Sequence, residues 1–428
     1  FAILVKWLVI GRYKAGDYPL WGSYYLRWWF VRRLSDIIAT PYLSGTPMIR
    51  FYYRLLGARI GRRAFIGTVA IDTADLVSIG DDAIVSDYAM LATSSVERGL
   101  LRLGSVKIGR SASIGTMAVV GRNCVVGDAA ALEDLSSLPM NQSIPAGESW
   151  NGSPAKCAAT GRVARRDDEA GFLRRFLVGV GLFIAAALLP VVAILPIAPG
   201  LIAMIEIDWN TDGYSYLLIS PFLALTYIVL MCVLTVFAKR LILGPVRPGR
   251  YSIHSWFYLR FWFVQQVTDL ALALLHPIYA TLYVLPWYRA LGVRIGKRAE
   301  ISTAAKIVPD LVDIGPESFI ADGVVFGAAR HEPGIIELAH TRIGRRSFIG
   351  NSAVLPTGAK IADGTLIGVL SKPPSDGGAE KPDGTWFGSP PISLPVRQAV
   401  GLFDEGARFN PRPRLVAMRL AIEAIRVI

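Results

Sequence analysis

A period of six residues runs through two stretches of this chain and leaves few folds open. In the first stretch IGRRAF (60–65), IGDDAI (79–84), IGRSAS (108–113), IGTMAV (114–119) and VGRNCV (120–125) carry it. In the second the hexads are IGKRAE (295–300), IGPESF (314–319), IGRRSF (343–348), IGNSAV (349–354), LPTGAK (355–360) and IADGTL (361–366). Each places an aliphatic residue first, a small residue next, then polar residues and another small one. Six matches neither the 3.6 of an amphipathic helix nor the 2 of an alternating strand. It suits a chain that turns a corner after every hexad, three to a coil, with the aliphatic side chain inward. Stacked coils then bury a core that no single hexad could make.

The hexads therefore predict a left-handed parallel β-helix in each stretch, and the two stretches are copies of one another. LGARIGRRAFI (56–66) returns as LGVRIGKRAEI (291–301), and Gly57 maps to Gly292, a shift of 235 that holds through Leu135-Ser136 and Leu370-Ser371. Upstream, YYLRWWFVRRLSD (24–36) matches FYLRFWFVQQVTD (257–269) at a shift of 233, as Lys6 matches Lys239. Downstream, Trp150 maps to Trp386, and Asp168-Glu169 to Asp404-Glu405, at 236. By this register residues 1–5 correspond to 234–238, which predicts that a membrane helix continues before Phe1, with at least one further hairpin upstream and another after residue 428.

Between the two stretches lie runs without a charged residue, 176–205 and 214–238. Each exceeds the roughly 20 residues needed to cross the hydrocarbon core. Arg162, Arg165, Arg166, Arg174 and Arg175 flank one outer end, and Lys239, Arg240, Arg247 and Arg250 the other, around a short acidic loop, EIDWNTDG (206–213). The positive-inside rule puts both outer ends, and with them both hexad stretches, on the cytoplasmic side of the inner membrane. The aromatic-rich segments 24–56 and 257–290, with Trp28, Trp29, Trp262 and Trp287, read as helices in the membrane interface, where Trp and Tyr are favoured. A base-stacking platform is the other reading.

The expected fold class is thus mainly β: two left-handed parallel β-helix domains joined by a transmembrane helical hairpin and interfacial helices. The expected boundaries are 1–56 for the end of a transmembrane helix plus interfacial helices, 57–160 for the first β-helix and 161–240 for the hairpin. Interfacial helices follow over 241–291, the second β-helix over 292–397, and the lead-in to a further membrane segment over 398–428.

The net charge of +12 sits largely beside the apolar runs, where anionic headgroups reward it. No groove-reading motif accompanies it, so nucleic acid is not an expected partner. Cys124, Cys157 and Cys232 form no CxxC pair, and neither a disulfide framework nor a metal site is indicated.

The run FIADGVVFGAARHEPG (319–334), then TRIGRRSFIGNSAVLPTGAKIADGTLIGVLS (341–371) and WFGSPP (386–391), resembles the hexapeptide-repeat acyltransferases, within them the galactoside and maltose acetyltransferase pattern. That resemblance makes His331 the general base that deprotonates an acceptor hydroxyl or amine, chemistry suited to an imidazole that titrates near neutrality. By position it assigns the pantetheine arm to Asn351, Ser352 and Gly368. Gly323 stands where the family commonly has a substrate-binding asparagine, and Phe348 where it often has tryptophan, which puts a sugar acceptor in doubt. In the first copy Val96 takes the place of His331, and no histidine occurs before His254; NGSPAK (151–156) still matches the family's closing turn. That copy reads as degenerate or as a binding partner. His340 reads as structural.

The order of hairpin, LRxW segment, GARIG-type coils and WxGSP turn, given twice, resembles the membrane-bound C-terminal region of nonribosomal-peptide-synthetase-like proteins of the poly-lysine synthetase type. The resemblance implies a carrier-bound phosphopantetheine thioester as donor, an amino-acid or peptide amine as acceptor, and formation of amide or isopeptide bonds. It also implies upstream adenylation and carrier domains, membrane lipid around the hairpin, and pseudo-threefold or homo-oligomeric packing. Two other readings stay open: a membrane O- or N-acetyltransferase using coenzyme A, and a non-catalytic scaffold.

Overall fold

The computed structural model describes residues 1–37, 40–68, 70–161, 170–210, 215–375, 377–395 and 409–427. Arg162, Arg165, Arg166, Asp168, Glu169, Asp212, Asp404 and Glu405, on which part of the topology and repeat reading rests, lie outside the described residues. The chain divides into two compact units. One holds residues 1–183 with 252–255 and 331–336; the other holds 184–251, 256–330 and 337–428.

In the first unit, helices Ala2–Val9, Ser23–Ile37 and Pro47–Leu55 precede the hexads. The hexads then form strands of two to four residues in three parallel sheets. One sheet runs through Arg59–Ile60, Val77–Ile79, Val106–Ile108, Cys124–Val126 and Ser143–Ile144. Where the hexads are unbroken the register advances by three of them: Ile114 pairs with Leu132, and Val126 with Ile144. The aliphatic first residues Ile79, Ile108, Ile114, Val120 and Val126 are all buried in one core. Gly61 sits where a Cβ would strike the backbone of Asp81 one coil on, so the small second residue of the hexad is a condition for coils to stack this closely. The coil is interrupted by an antiparallel hairpin, Ser94–Glu97 with Leu100–Leu103, which strand Gly16–Pro19 extends. Leu101 and Leu103 cover Tyr13 and Trp28 in a second, smaller core.

The second unit carries two apolar segments, Phe172–Trp209 (which begins in the first unit) and Leu217–Leu243, long and apolar enough to cross a membrane. Helix Ser220–Phe237 runs into the π-helical turn Ala238–Leu243 and packs on helix Trp256–Leu274. The second hexad stretch again forms short parallel strands in three sheets, one of them ordered Glu300–Ile301, Phe319–Ile320, Phe348–Ile349, Leu366–Ile367, Thr385–Phe387. Helix Pro413–Val427 closes the described chain.

The expectation of a mainly β chain made of two left-handed parallel β-helix domains is overturned. The fold is mixed α/β, with 39% helix against 24% strand. The reason lies in how the two parts use residues. A hexad spends only two or three of its six residues on strand and the rest on corners, whereas nearly every residue of the apolar and aromatic segments is helical.

One device recurs in both repeats. In the first, Lys6 pairs with Asp75 at 2.7 Å, and the same carboxylate accepts the Tyr13 backbone N–H at 3.0 Å. In the second, Lys239 pairs with Asp310 at 2.7 Å, and that carboxylate accepts the Val246 N–H at 2.8 Å. Each aspartate occupies the space a Cβ would need at the helix-ending glycine, Gly57 or Gly292. Each repeat thus ties its leading helix to its strands through a shielded charge pair.

Candidate active site

His331 lies at the start of the hairpin formed by Arg330–Glu332 and Ile335–Leu338. Gly334, with φ +84°, allows the tight reversal, and its carbonyl accepts the Ile253 backbone N–H at 3.0 Å. The imidazole is half-buried. Within the first compact unit it stacks on the ring of Phe65, centroids 4.1 Å apart and planes 25° from parallel. Phe65 is itself buried and stands in the sheet row Phe65–Ile66, Ile84–Val85, Ser113–Ile114. A stacked ring fixes the plane of the imidazole while leaving its edge, where the nitrogens are, to hydrogen bonding. An imidazole held this way can take a proton from a nucleophile that approaches along that edge.

Asn351, Ser352 and Gly368 come together in the second unit. They flank a corner at which three turns lie one above another. Asn351 accepts the Leu370 N–H at 2.9 Å on its backbone carbonyl, and Ser352 donates its N–H to the Asp322 carbonyl at 2.8 Å. Asn351 Oδ1 accepts the Asp322 N–H at 3.3 Å, and the side chain is exposed. Ser352 Oγ stands 3.4 Å from the place of a Cβ on Gly323. Gly368 is buried, and a Cβ there would run into the ring of Phe387. Its lack of a side chain is therefore accounted for by Phe387. Its N–H, donated to the Trp386 carbonyl at 2.8 Å, is already used within the sheet. His331 belongs to the first compact unit, these three residues to the second.

Val96, at the His331 register in the first repeat, is 54% exposed and pairs with Leu101 across its hairpin. His340 is half-buried, and its Nδ1 has no hydrogen-bond partner among the described residues. His276 lies beside Tyr279, centroids 5.1 Å apart. Sequence reasoning missed Phe65. The signal was present, because the shift of 235 sets Phe65 against Glu300, an exchange of an aromatic for an acid at a position that otherwise repeats.

An electrostatic cluster marks the second repeat. Glu317 accepts from Arg298 at 3.1 Å, Arg345 at 3.1 Å and Arg346 at 2.8 Å, and the carboxylate is almost fully covered. The hydrogen bond from Arg346, seconded by Arg345, holds it below the usual carboxylate range although burial pushes the other way. At the same register the first repeat has Asp82 with Arg63 at 2.7 Å, while Arg110 turns to Asp128 at 2.8 Å.

These features sit in a chain homologous to a poly-amino-acid synthetase. Along its whole length, in an alignment 447 positions long, it is 33% identical to the Delta-poly-L-ornithine synthetase of Acinetobacter baumannii (strain AB307-0294). The chain spans about a third of the length of that relative, 33%. No protein-family profile matches the chain. Among solved structures, the maltose O-acetyltransferase from Clostridium difficile 630 is 13% identical and aligns with 36% of this chain and 96% of its own, at a TM-score of 0.29. The polySia specific acetyltransferase NeuO is 20% identical over 27% of this chain and 56% of its own, at a TM-score of 0.23.

Proposed function

We propose that this chain belongs to the acyl-transferring part of a membrane-bound synthetase, with His331 as the general base. The observation that carries the reading is that a histidine is clamped on a hairpin by a stacked ring in a chain homologous to a poly-amino-acid synthetase. An acyl thioester on a pantetheine thiol would be attacked at its carbonyl carbon by the acceptor. As the new C–N or C–O bond forms, the C–S bond breaks, the acceptor's proton passes to the imidazole, and the thiolate recovers a proton as it leaves. Asn351 and Ser352 are proposed to border the pantetheine arm. The apolar segments are proposed to cross the inner membrane, with both hexad stretches on the cytoplasmic side, where the Lys and Arg excess finds anionic lipid.

Coenzyme A thioesters are the first donors to test. The purified protein in lipid nanodiscs, given acetyl-coenzyme A and an amine or hydroxyl acceptor, should release free thiol in step with acylated product. Product formation should fall with His331→Ala. A second reading, transfer from a carrier-bound aminoacyl thioester to an amine, is favoured by the homology to the poly-ornithine synthetase. If product forms only when a loaded carrier protein is supplied, that reading holds and free coenzyme A is not the donor. Unchanged product with His331→Ala under both regimes would sink the assignment of the base and leave the chain a scaffold.

A further inference from the structure

The same helix occurs once in each repeat, and its two copies are covered differently. Residues 24–31 and 257–264 correspond at a shift of 233, with Leu26, Trp29 and Phe30 identical to Leu259, Trp262 and Phe263. One side behaves alike in both: Trp28 and Val31, like Phe261 and Val264, are buried. The opposite side does not. Trp29 is 45% exposed where Trp262 is 4% exposed. Leu26 and Phe30 are 59% and 46% exposed, whereas Leu259 and Phe263 are at least partly covered. In the second repeat helix Ser220–Phe237 packs on this helix, with Ile228, Met231 and Thr235 as its own buried residues.

We propose that the Leu26–Trp29–Phe30 face of helix Ser23–Ile37 is the seat of an apolar transmembrane helix. That helix would run into Ala2–Val9 as Ser220–Phe237 runs into Ala238–Leu243. Three observations converge on it. The face keeps three large apolar side chains at i, i+3 and i+4, the spacing of a helix-packing stripe, although nothing described covers them. The helix that bears the same three residues in the other repeat packs against a membrane-length helix, and its Trp262 is buried. Helix Ala2–Val9 already packs on Ser23–Ile37, and its Lys6 makes the ion pair that Lys239 makes in Ala238–Leu243, so an occupant in line with it arrives in the same register. Arg27 and Arg33 border the face, and the Arg33 guanidinium lies 6.0 Å over the Trp29 ring. A bilayer surface would satisfy the tryptophan alone, but it does not account for a stripe identical to one on a helix against which a membrane-length helix packs.

The test places the photocrosslinker p-benzoylphenylalanine at Leu26, and separately at Leu259, in the protein purified in its own membrane vesicles. The Leu259 probe should attach to helix Ser220–Phe237 and sets the reference yield. At Leu26 the expected product is an intramolecular adduct on an apolar peptide that continues into Ala2–Val9, at a comparable yield. An adduct on phospholipid, an adduct on a second copy of the chain, or no adduct at the reference yield would each overturn the proposal.

Discussion

The two repeats share a register but not the chemistry of what lies on their strands. At one sheet position the first repeat has Phe65, which receives the ring of His331. At the same position the second has Glu300, which accepts Arg419 at 2.7 and 2.9 Å, and Glu423 beside it takes the Leu282 N–H at 2.8 Å. Both repeats keep the buried lysine–aspartate pair at the end of the leading helix. What is kept is the part that holds a helix to the strands. What has diverged is the sheet face that meets a partner, and an aromatic surface suits an imidazole while a carboxylate suits a guanidinium.

The sharpest way to break this comparison is at the histidine. His331→Ala should lower product formation by about 10²–10⁴-fold, the usual cost of a general base, whereas Val96→Ala should leave it unchanged. Rates measured on both variants with the same donor decide it. Equal losses would mean that the repeats contribute alike.

The charge pairs come next. Replacing Lys6 by Met strands Asp75 and should cost about 3–5 kcal/mol, as breaking a buried pair does. Lys239→Met should cost less, because Asp310 is 22% exposed where Asp75 is 7% exposed and water can take over part of the lost contact. Denaturant unfolding in detergent micelles measures both. The reverse order would show that the second repeat depends more on its tether.

Smaller effects sharpen the picture at single corners. Gly368→Ala forces a Cβ into Phe387 and should destabilise by about 1–3 kcal/mol. Its counterpart Glu133, whose carboxylate accepts from Ser149 at 2.8 Å, should tolerate alanine within about 0.5 kcal/mol. Thermal unfolding of the two variants tests whether that glycine is there for packing.

The smallest effect is one of pH. Glu317 has its carboxyl depressed below the ordinary value of 4.5 by Arg346 and Arg345. Its contribution to stability is therefore complete above that value and is lost as pH falls through the lower folded-state value. Unfolding curves taken downward from pH 5 should lose less stability in Glu317→Gln than in the native protein. Identical slopes would show that the three guanidiniums are indifferent to its charge.

Much of this was legible before any coordinates. The apolar runs found in the sequence are the segments long enough to cross a membrane, and the hexads form short parallel strands with aliphatic first residues buried, because a period and a run length are local properties. The fold class was misjudged, since the hexad signal is loud per residue yet commits only a third to a half of its residues to strand. Gly368 reads in sequence as open backbone for a ligand, and only the placement of Phe387 shows why it must be glycine. Phe65 was overlooked because nothing near it in sequence refers to residue 331.

By itself the sequence determined the repeat, its register, the lengths of the apolar helices, and the one histidine that a loop resemblance could single out. These follow from side-chain volume, polarity and spacing, which act between near neighbours along the chain. Only the tertiary structure decided that the lysines at positions 6 and 239 are paired rather than solvated. It alone placed His331 on an aromatic ring, and left one copy of the Leu-Trp-Phe stripe covered and the other bare. Each of these depends on a contact between residues about 20 to more than 250 positions apart, and no local pattern encodes which distant side chain will fill the space beside it.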